Sequence, residues 1–186
     1  MPKPAFTRAS PLATAAIPGH YGADKGVPGV ILSVLHPLSL VMVIARSGKG
    51  KPTKDVLDRL RGVRVMWAGP DQYYVQSTAH EEGALTKELL KKLAGLTSVM
   101  DQSHGRVTLR IEGPKARNVL TKGTPVDFHP KTFPVGRSAV TQMAHVGIHL
   151  TRVDTDAYEL SVFRGFSESF WEWLTEMSLE FGYQVT

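Results

Sequence analysis

Hydrophobic and polar positions along the chain fall into pairs of short strand-like runs, each pair followed by a run with helical spacing. In the first half, β-rich or alternating residues predict strands at 30–35, 38–45, 63–67 and 73–76. Proline at the second place of Gly69-Pro-Asp-Gln72 is typical of a turn, so the last two strands should form a hairpin. Apolar spacing predicts helices at 52–60 and at 85–93.

The second half repeats this order, with strands predicted at 98–101, 106–112, 146–150 and 158–163 and helices following Pro114 and spanning about 167–181. Within 106–112, three apolar residues alternate with Arg106, Thr108 and Arg110. Such alternation predicts a strand with one buried face and one face in water. Strand pairs alternating with single helices indicate an α+β protein of mostly antiparallel sheets with helices on one face.

The N-terminal residues 1–28 have no such period and are rich in Ala, Pro and Gly. A segment of this composition buries too little apolar surface to order by itself. It is interpreted either as a flexible tail or as an arm that orders against another subunit. The remaining residues 29–186 are assigned to one domain.

Composition removes several classes of function. The 186 residues include no cysteine, which excludes disulfides, zinc thiolates and thiol nucleophiles. The net charge is +5, but the cations are scattered, and the dense patch of Lys49, Lys51 and Lys54 has no interleaved aromatic residue, so no nucleic-acid partner is expected. No run approaches the ~18 apolar residues of a membrane span. We expect a cytoplasmic protein without a membrane partner.

Histidines at 145 and 149 are the most tempting metal ligands. On a helix, residues four apart can share one ion. This segment reads as a strand, however, and side chains four apart on a strand stand ~13 Å from each other. No metal site is therefore predicted.

The closing helix carries a candidate interface. At 100° per residue its main apolar arc contains Trp173, and Trp171 and Leu179 fall outside that arc. Four glutamates spaced four residues apart form an acidic column, which faces either cations or solvent. The interface candidates are Trp171, Leu179, Glu168, Glu172, Glu176 and Glu180.

Several ordered motifs carry a family resemblance: Gly113-Pro-x-Ala-Arg117, Lys122-Gly-x-Pro-x-Asp-x-His-Pro130, Phe133-x-x-Gly136 and Phe170-Trp-Glu-Trp-Leu174. In these the chain resembles the gamma subunit of heterotetrameric sarcosine oxidase. The resemblance implies a structural subunit, without catalytic residues or cofactors of its own, in an oxidoreductase that demethylates sarcosine to glycine. It implies alpha, beta and delta partner subunits that carry FAD, FMN, NAD and zinc. Tetrahydrofolate would accept the one-carbon unit, and hydrogen peroxide would be a product.

A second resemblance concerns the fold. Asp101-Gln-Ser-His104, followed by a strand and a Gly-Pro helix, is similar to aminomethyltransferases and other folate-binding-domain proteins. This implies two small intertwined α/β subdomains. In those enzymes a carboxylate after the helix contacts folate, and Asp127 lies in the comparable place, although Val126 replaces the family's Asn. Asp127 is interpreted as a turn residue or as a relic of a folate site.

Two other functions fit the same motifs. One is a stand-alone folate-binding protein of the aminomethyltransferase type. The other is an adaptor subunit of a related N-methyl amine oxidase complex, such as one that acts on dimethylglycine.

Overall fold

The computed structural model describes residues 9–22 and 26–186. Its helices are α1 (Gly50–Leu57), α2 (Ala84–Lys92), α3 (Ala116–Leu120) and α4 (Ser167–Ser178), with 3₁₀ turns at Arg164–Phe166 and Leu179–Phe181. Its strands are β1 (Gly19–Tyr21), β2 (Val30–Val34), β3 (Ser39–Ala45), β4 (Arg64–Gly69), β5 (Gln72–Ser77), β6 (Thr97–Asp101), β7 (Arg106–Glu112), β8 (Ser138–Met143), β9 (Val146–Asp154), β10 (Ala157–Phe163) and β11 (Tyr183–Val185). No helix in the described ranges is long and apolar enough to cross a membrane.

The strands form two sheets. Seven strands pair in the order β1-β11-β2-β7-β10-β9-β8, and four pair in the order β4-β5-β3-β6. Strands β11 and β2 run parallel, whereas every other pairing among the described strands is antiparallel. The predicted α+β class with mostly antiparallel sheets is therefore confirmed. The predicted hairpin between β4 and β5 is present, with its turn at Pro70 and Asp71.

The sheets stack face to face and each has helices on its outer side. One core lies between the seven-stranded sheet and helices α3 and α4 and includes Leu109, Leu160 and Phe170. A second core lies between the four-stranded sheet and the helices α1 and α2, and Leu89 is fully buried there. Among the described residues, a smaller apolar cluster of Leu40, Met66 and Tyr74 lies between the sheets. The result is a four-layer α/β/β/α arrangement.

The face of β7 that carries Arg106 and Thr108 does not meet water. Arg106 is 9% exposed and Thr108 is 3% exposed. The guanidinium carbon of Arg106 lies 5.5 Å from the ring centroid of Tyr74 in the other sheet. The prediction of a solvated face was wrong for these two residues, because the four-stranded sheet covers it.

Part of the described N-terminal segment packs on the rest of the chain. Leu12 has no exposed surface and belongs to the larger core, and the backbone around it forms turns such as Ala16 N–H to Leu12 O at 2.8 Å. Strand β1 pairs with β11 at the edge of the seven-stranded sheet. Residues 1–8 and 23–25 of the predicted arm lie outside the described residues. Leu12 and β1 are thus integrated into the domain, whereas Ile17 and Val27 remain 58% and 93% exposed.

Candidate functional site

The acidic column follows the outer side of α4 and the 3₁₀ turn after it. Glu168, Glu172, Glu176 and Glu180 are all exposed. Glu180 forms an ion pair with the ammonium group of Lys122. The other three make no ion pair with any residue in 9–22 or 26–186. A local stripe of uncompensated negative charge therefore lies on a chain whose net charge is positive.

Leu179 lies at the end of this stripe and is 46% exposed. A large apolar side chain beside an acidic stripe is a composition suited to a protein partner, but a single exposed leucine is also ordinary on a protein surface. The predicted role of Leu179 and the glutamates in an interface stays a prediction.

Trp171 and Trp173 occupy the opposite environments to those predicted. Trp171 is only 4% exposed and belongs to the larger core, whereas Trp173 is half-buried and packs at the rim of that core. Ala15 and Ile17 of the N-terminal segment line the same surface pocket as Trp171. Trp171 is therefore buried within its own chain and is not an exposed anchor. The helical projection assumed one buried face, but the larger core takes in Trp171 as well as the residues of that face.

A groove lies beside the half-buried Trp173. It measures about 540 Å³ and is lined among others by Lys122, Pro125 and His145. The indole stacks at a tilt on Phe170, with ring centroids 5.7 Å apart. Of the two tryptophans of α4, Trp173 is thus the one that is partly exposed at the surface.

Asp127 lies in the exposed loop between α3 and β8. Its Oδ1 accepts a hydrogen bond from the backbone N–H of His129 at 2.9 Å. That bond, followed by one from the Thr132 side chain, holds the pKa of the carboxyl below its usual range. Phe128 anchors the loop and is 2% exposed. In this geometry the carboxylate closes a turn. This agrees with the interpretation of Asp127 as a turn residue.

The two histidines of the β8–β9 region are separated by their local structure. His145 sits in the hairpin turn with a positive φ of 64°, while His149 lies on β9 and is 3% exposed. The Nε2 of His149 bonds the carbonyl of Trp67 at 2.9 Å, which requires that nitrogen to donate. Burial lowers the pKa of His149 to about 4. Within residues 9–22 and 26–186 no group of three His, Asp or Glu side chains is placed to hold a metal ion.

Sequence reasoning missed a buried polar clamp between the sheets. Glu159 on β10 is 4% exposed, and its Oε2 accepts hydrogen bonds from Arg64 Nη1 at 2.6 Å and from Gln76 Nε2 at 2.8 Å. Both partners belong to the four-stranded sheet. The available signal was a glutamate between Tyr158 and Leu160 in a mostly apolar strand, since such a charge is seldom buried without a partner.

The layered fold places the chain in a structural class. It resembles the glycine cleavage system aminomethyltransferase T from Bartonella henselae with a TM-score of 0.60 and 16% identity, over 79% of this chain and 45% of that one. The chain therefore shares the folate-binding-domain-like fold, as predicted. At this identity the similarity concerns the fold alone.

The family follows from closer matches. A sequence model described as "Sarcosine oxidase, gamma subunit family" matches residues 52–180. "Sarcosine oxidase subunit gamma" of Corynebacterium sp. (strain U-96) is 32% identical over 141 residues, 74% of this chain and 67% of that protein. Its counterpart from Arthrobacter sp is 33% identical over 140 residues, covering 74% and 68%. The chain belongs to the sarcosine oxidase gamma subunit family, which confirms the resemblance.

A solved structure agrees with this assignment. It is titled "Heterotetrameric Sarcosine Oxidase from Corynebacterium sp. U-96 in complex with pyrrole 2-carboxylate". The similar chain in it has a TM-score of 0.78 and 27% identity, and the match covers 94% of this chain and 96% of that one. The structural match thus extends over nearly the whole length of both chains.

Proposed function

We propose that this chain is the structural gamma subunit of a cytoplasmic, heterotetrameric sarcosine oxidase. The complex would oxidatively demethylate sarcosine to glycine, with tetrahydrofolate as one-carbon acceptor and hydrogen peroxide as product. Its alpha, beta and delta subunits would hold FAD, FMN, NAD and zinc. The observation that carries the proposal is the match to a chain of a heterotetrameric sarcosine oxidase over 94% of this chain and 96% of that one.

The structural role rests on the chemistry of the side chains. Oxidation of an amine needs an electron acceptor, which in enzymes of this kind is a cofactor. The sequence has no cysteine for redox chemistry or for zinc thiolate ligation. Asp127, the predicted relic of a folate site, is engaged in its own turn. The chain would therefore contribute shape and contacts to the complex, while its partners contribute the reaction.

The surface that would contact a partner is the acidic column with Leu179. Three of its carboxylates, on Glu168, Glu172 and Glu176, have no cationic partner among the described residues. Complementary charge across an interface speeds association and selects the partner. The partner surface would therefore be basic. Trp171 is excluded from this surface because its own chain buries it.

Charge reversal tests this surface. The triple substitution Glu168→Lys, Glu172→Lys and Glu176→Lys, introduced during co-expression with the partner subunits, should lower recovery of the complex at least tenfold. The melting temperature of the chain should stay within about 2 °C, because exposed charges contribute little to stability. A control for a single charge reversal is Glu81→Lys, an exposed glutamate just before α2. Normal recovery of the complex with the triple variant would refute the proposed surface.

A second experiment separates assembly from catalysis and from folate binding. The purified chain, free of flavin, should produce no peroxide from sarcosine, and co-expressed flavoprotein subunits should co-elute with the wild-type chain. Peroxide from the isolated chain would contradict the structural role. A chain that elutes alone and binds tetrahydrofolate would instead support the stand-alone folate-binding protein.

A further inference from the structure

A small, partly open cavity lies between the sheets, beside the N-terminal segment and the start of β7. It has about 20 Å³ of space for the centre of a water-sized molecule, which is enough for a water or one small functional group. Four of its lining side chains are basic or titratable as bases: His36, His104, Arg106 and Arg164. Among the described residues that line it there is no Asp or Glu. Arg106 therefore lines the cavity without a carboxylate among the other lining residues, whereas His104 pairs with Glu82.

Arg106 is the most deeply buried of these cations. Its Nε donates to the Ser161 hydroxyl at 3.0 Å, and its Nη2 donates to the Ser161 carbonyl at 2.7 Å. The ring of Phe163 stacks on its guanidinium at 4.3 Å. These contacts fix the orientation of the group but do not neutralise it, and no carboxylate within residues 9–22 or 26–186 forms an ion pair with it. A buried charge without a counter-ion is strongly unfavourable.

Thr108 supplies an independent observation at the same cavity. It is 3% exposed, and its Oγ1 makes no hydrogen bond in the described part of the chain. Buried hydroxyls normally have a partner, and one without a protein partner indicates a water or an ion. Thr108 lies two residues from Arg106 on the same face of β7, roughly 6.6 Å along the strand. An orphaned hydroxyl and an uncompensated guanidinium thus line one cavity.

We propose that this cavity binds a carboxylate group, with the Arg106 guanidinium and the Thr108 hydroxyl as its donors. A carboxylate supplies both missing partners at once, because one of its oxygens accepts from Arg106 and the other accepts from Thr108. A water would satisfy Thr108 but leave the charge of Arg106 uncompensated. The carboxylate belongs either to a small free anion or to an acidic side chain of another subunit. The site exists in the chain itself and does not depend on the proposed function.

Thermal unfolding of the full chain in sodium formate tests the site, with sodium chloride of equal ionic strength as the reference. The melting temperature should rise with formate in a saturable way, because a ligand that binds only the folded state stabilises it. Thr108→Val keeps the shape and removes the hydroxyl, and should weaken the formate response at least tenfold in apparent affinity. The matched control is Thr97→Val, since the Thr97 hydroxyl is also buried and without a partner but lies outside the cavity. The control should respond like wild type.

The assembled complex distinguishes the two sources of the carboxylate. If formate stabilises the isolated chain but not this subunit in the complex, an acidic side chain of another subunit occupies the site. A response in both states indicates a free small carboxylate. Equal effects of formate and chloride on wild type, or an unchanged formate response in Thr108→Val, would overturn the proposal.

Discussion

The two neighbouring tryptophans of α4 should differ in their contribution to the stability of the chain. Trp171 is 4% exposed and shares the larger core with Leu12 and Leu174. Replacing a fully buried tryptophan with alanine removes its transfer free energy and leaves a cavity, at a cost of about 3–5 kcal/mol. For a chain of this length one kcal/mol lowers the melting temperature by about 2–4 °C. Trp171→Ala should therefore lower it by about 6–20 °C.

Trp173 provides the comparison within the same helix. Because its indole is half-buried at the rim of the core, Trp173→Ala should cost about half as much, on the order of 1.5–2.5 kcal/mol. The assay is thermal unfolding of the full chain, followed by circular dichroism, for wild type, both alanine variants and Trp171→Phe. The phenylalanine variant should recover part of the loss because it refills part of the cavity. If Trp173→Ala destabilises the chain as much as Trp171→Ala, the assignment of Trp171 to the core is incorrect.

Three further predictions concern other contacts. Gly123→Ala should cost about 1–3 kcal/mol, because its Cβ would lie 2.4 Å from the Trp173 ring, and urea unfolding would measure this. Arg64→Ala should destabilise the chain more than Glu159→Gln does, by about 1–3 kcal/mol, since only the first leaves a buried charged carboxylate without its ion-pair partner; equal losses would contradict this. Burial lowers the pKa of His149 to about 4, against about 6.5 in an unfolded chain, so the unfolded chain takes up the proton first. Stability should fall by roughly 3 kcal/mol as the pH drops from 6.5 to 4. In the His149→Gln variant the free energy of unfolding should fall by roughly 3 kcal/mol less over the same pH range, which urea titrations would measure.

Part of this fold could be read from local patterns. Strand β7 was predicted with the bounds Arg106–Glu112 that the structure shows, because three apolar residues alternate with polar ones over its length. Helix α3 was predicted from Pro114 to the residue before Gly123, whereas the structure limits it to Ala116–Leu120. Capping signals mark where a helix is permitted to begin and end, but the hydrogen bonds of its last turns depend on the surrounding loop.

Strand β11 shows a different limit of local patterns. Its three residues pair with β1 on one side and with β2 on the other. Three residues carry too little periodicity to predict a strand. The parallel pairing with β2 joins chain segments about 150 residues apart and depends on the completed sheet.

By itself, the sequence determined the alternation of strand pairs with helices, the mostly antiparallel α+β class and the motifs that mark the family. Only the tertiary structure decided what covers each polar face. Alternation along a strand shows that one face is apolar, but it does not show whether the other face meets water or a second sheet. For that reason Arg106 was predicted on a face in water and Glu159 went unnoticed. Trp171 was placed outside the main apolar arc of its helix. The packing of the two sheets buries Arg106 and Glu159, and the larger core takes in Trp171.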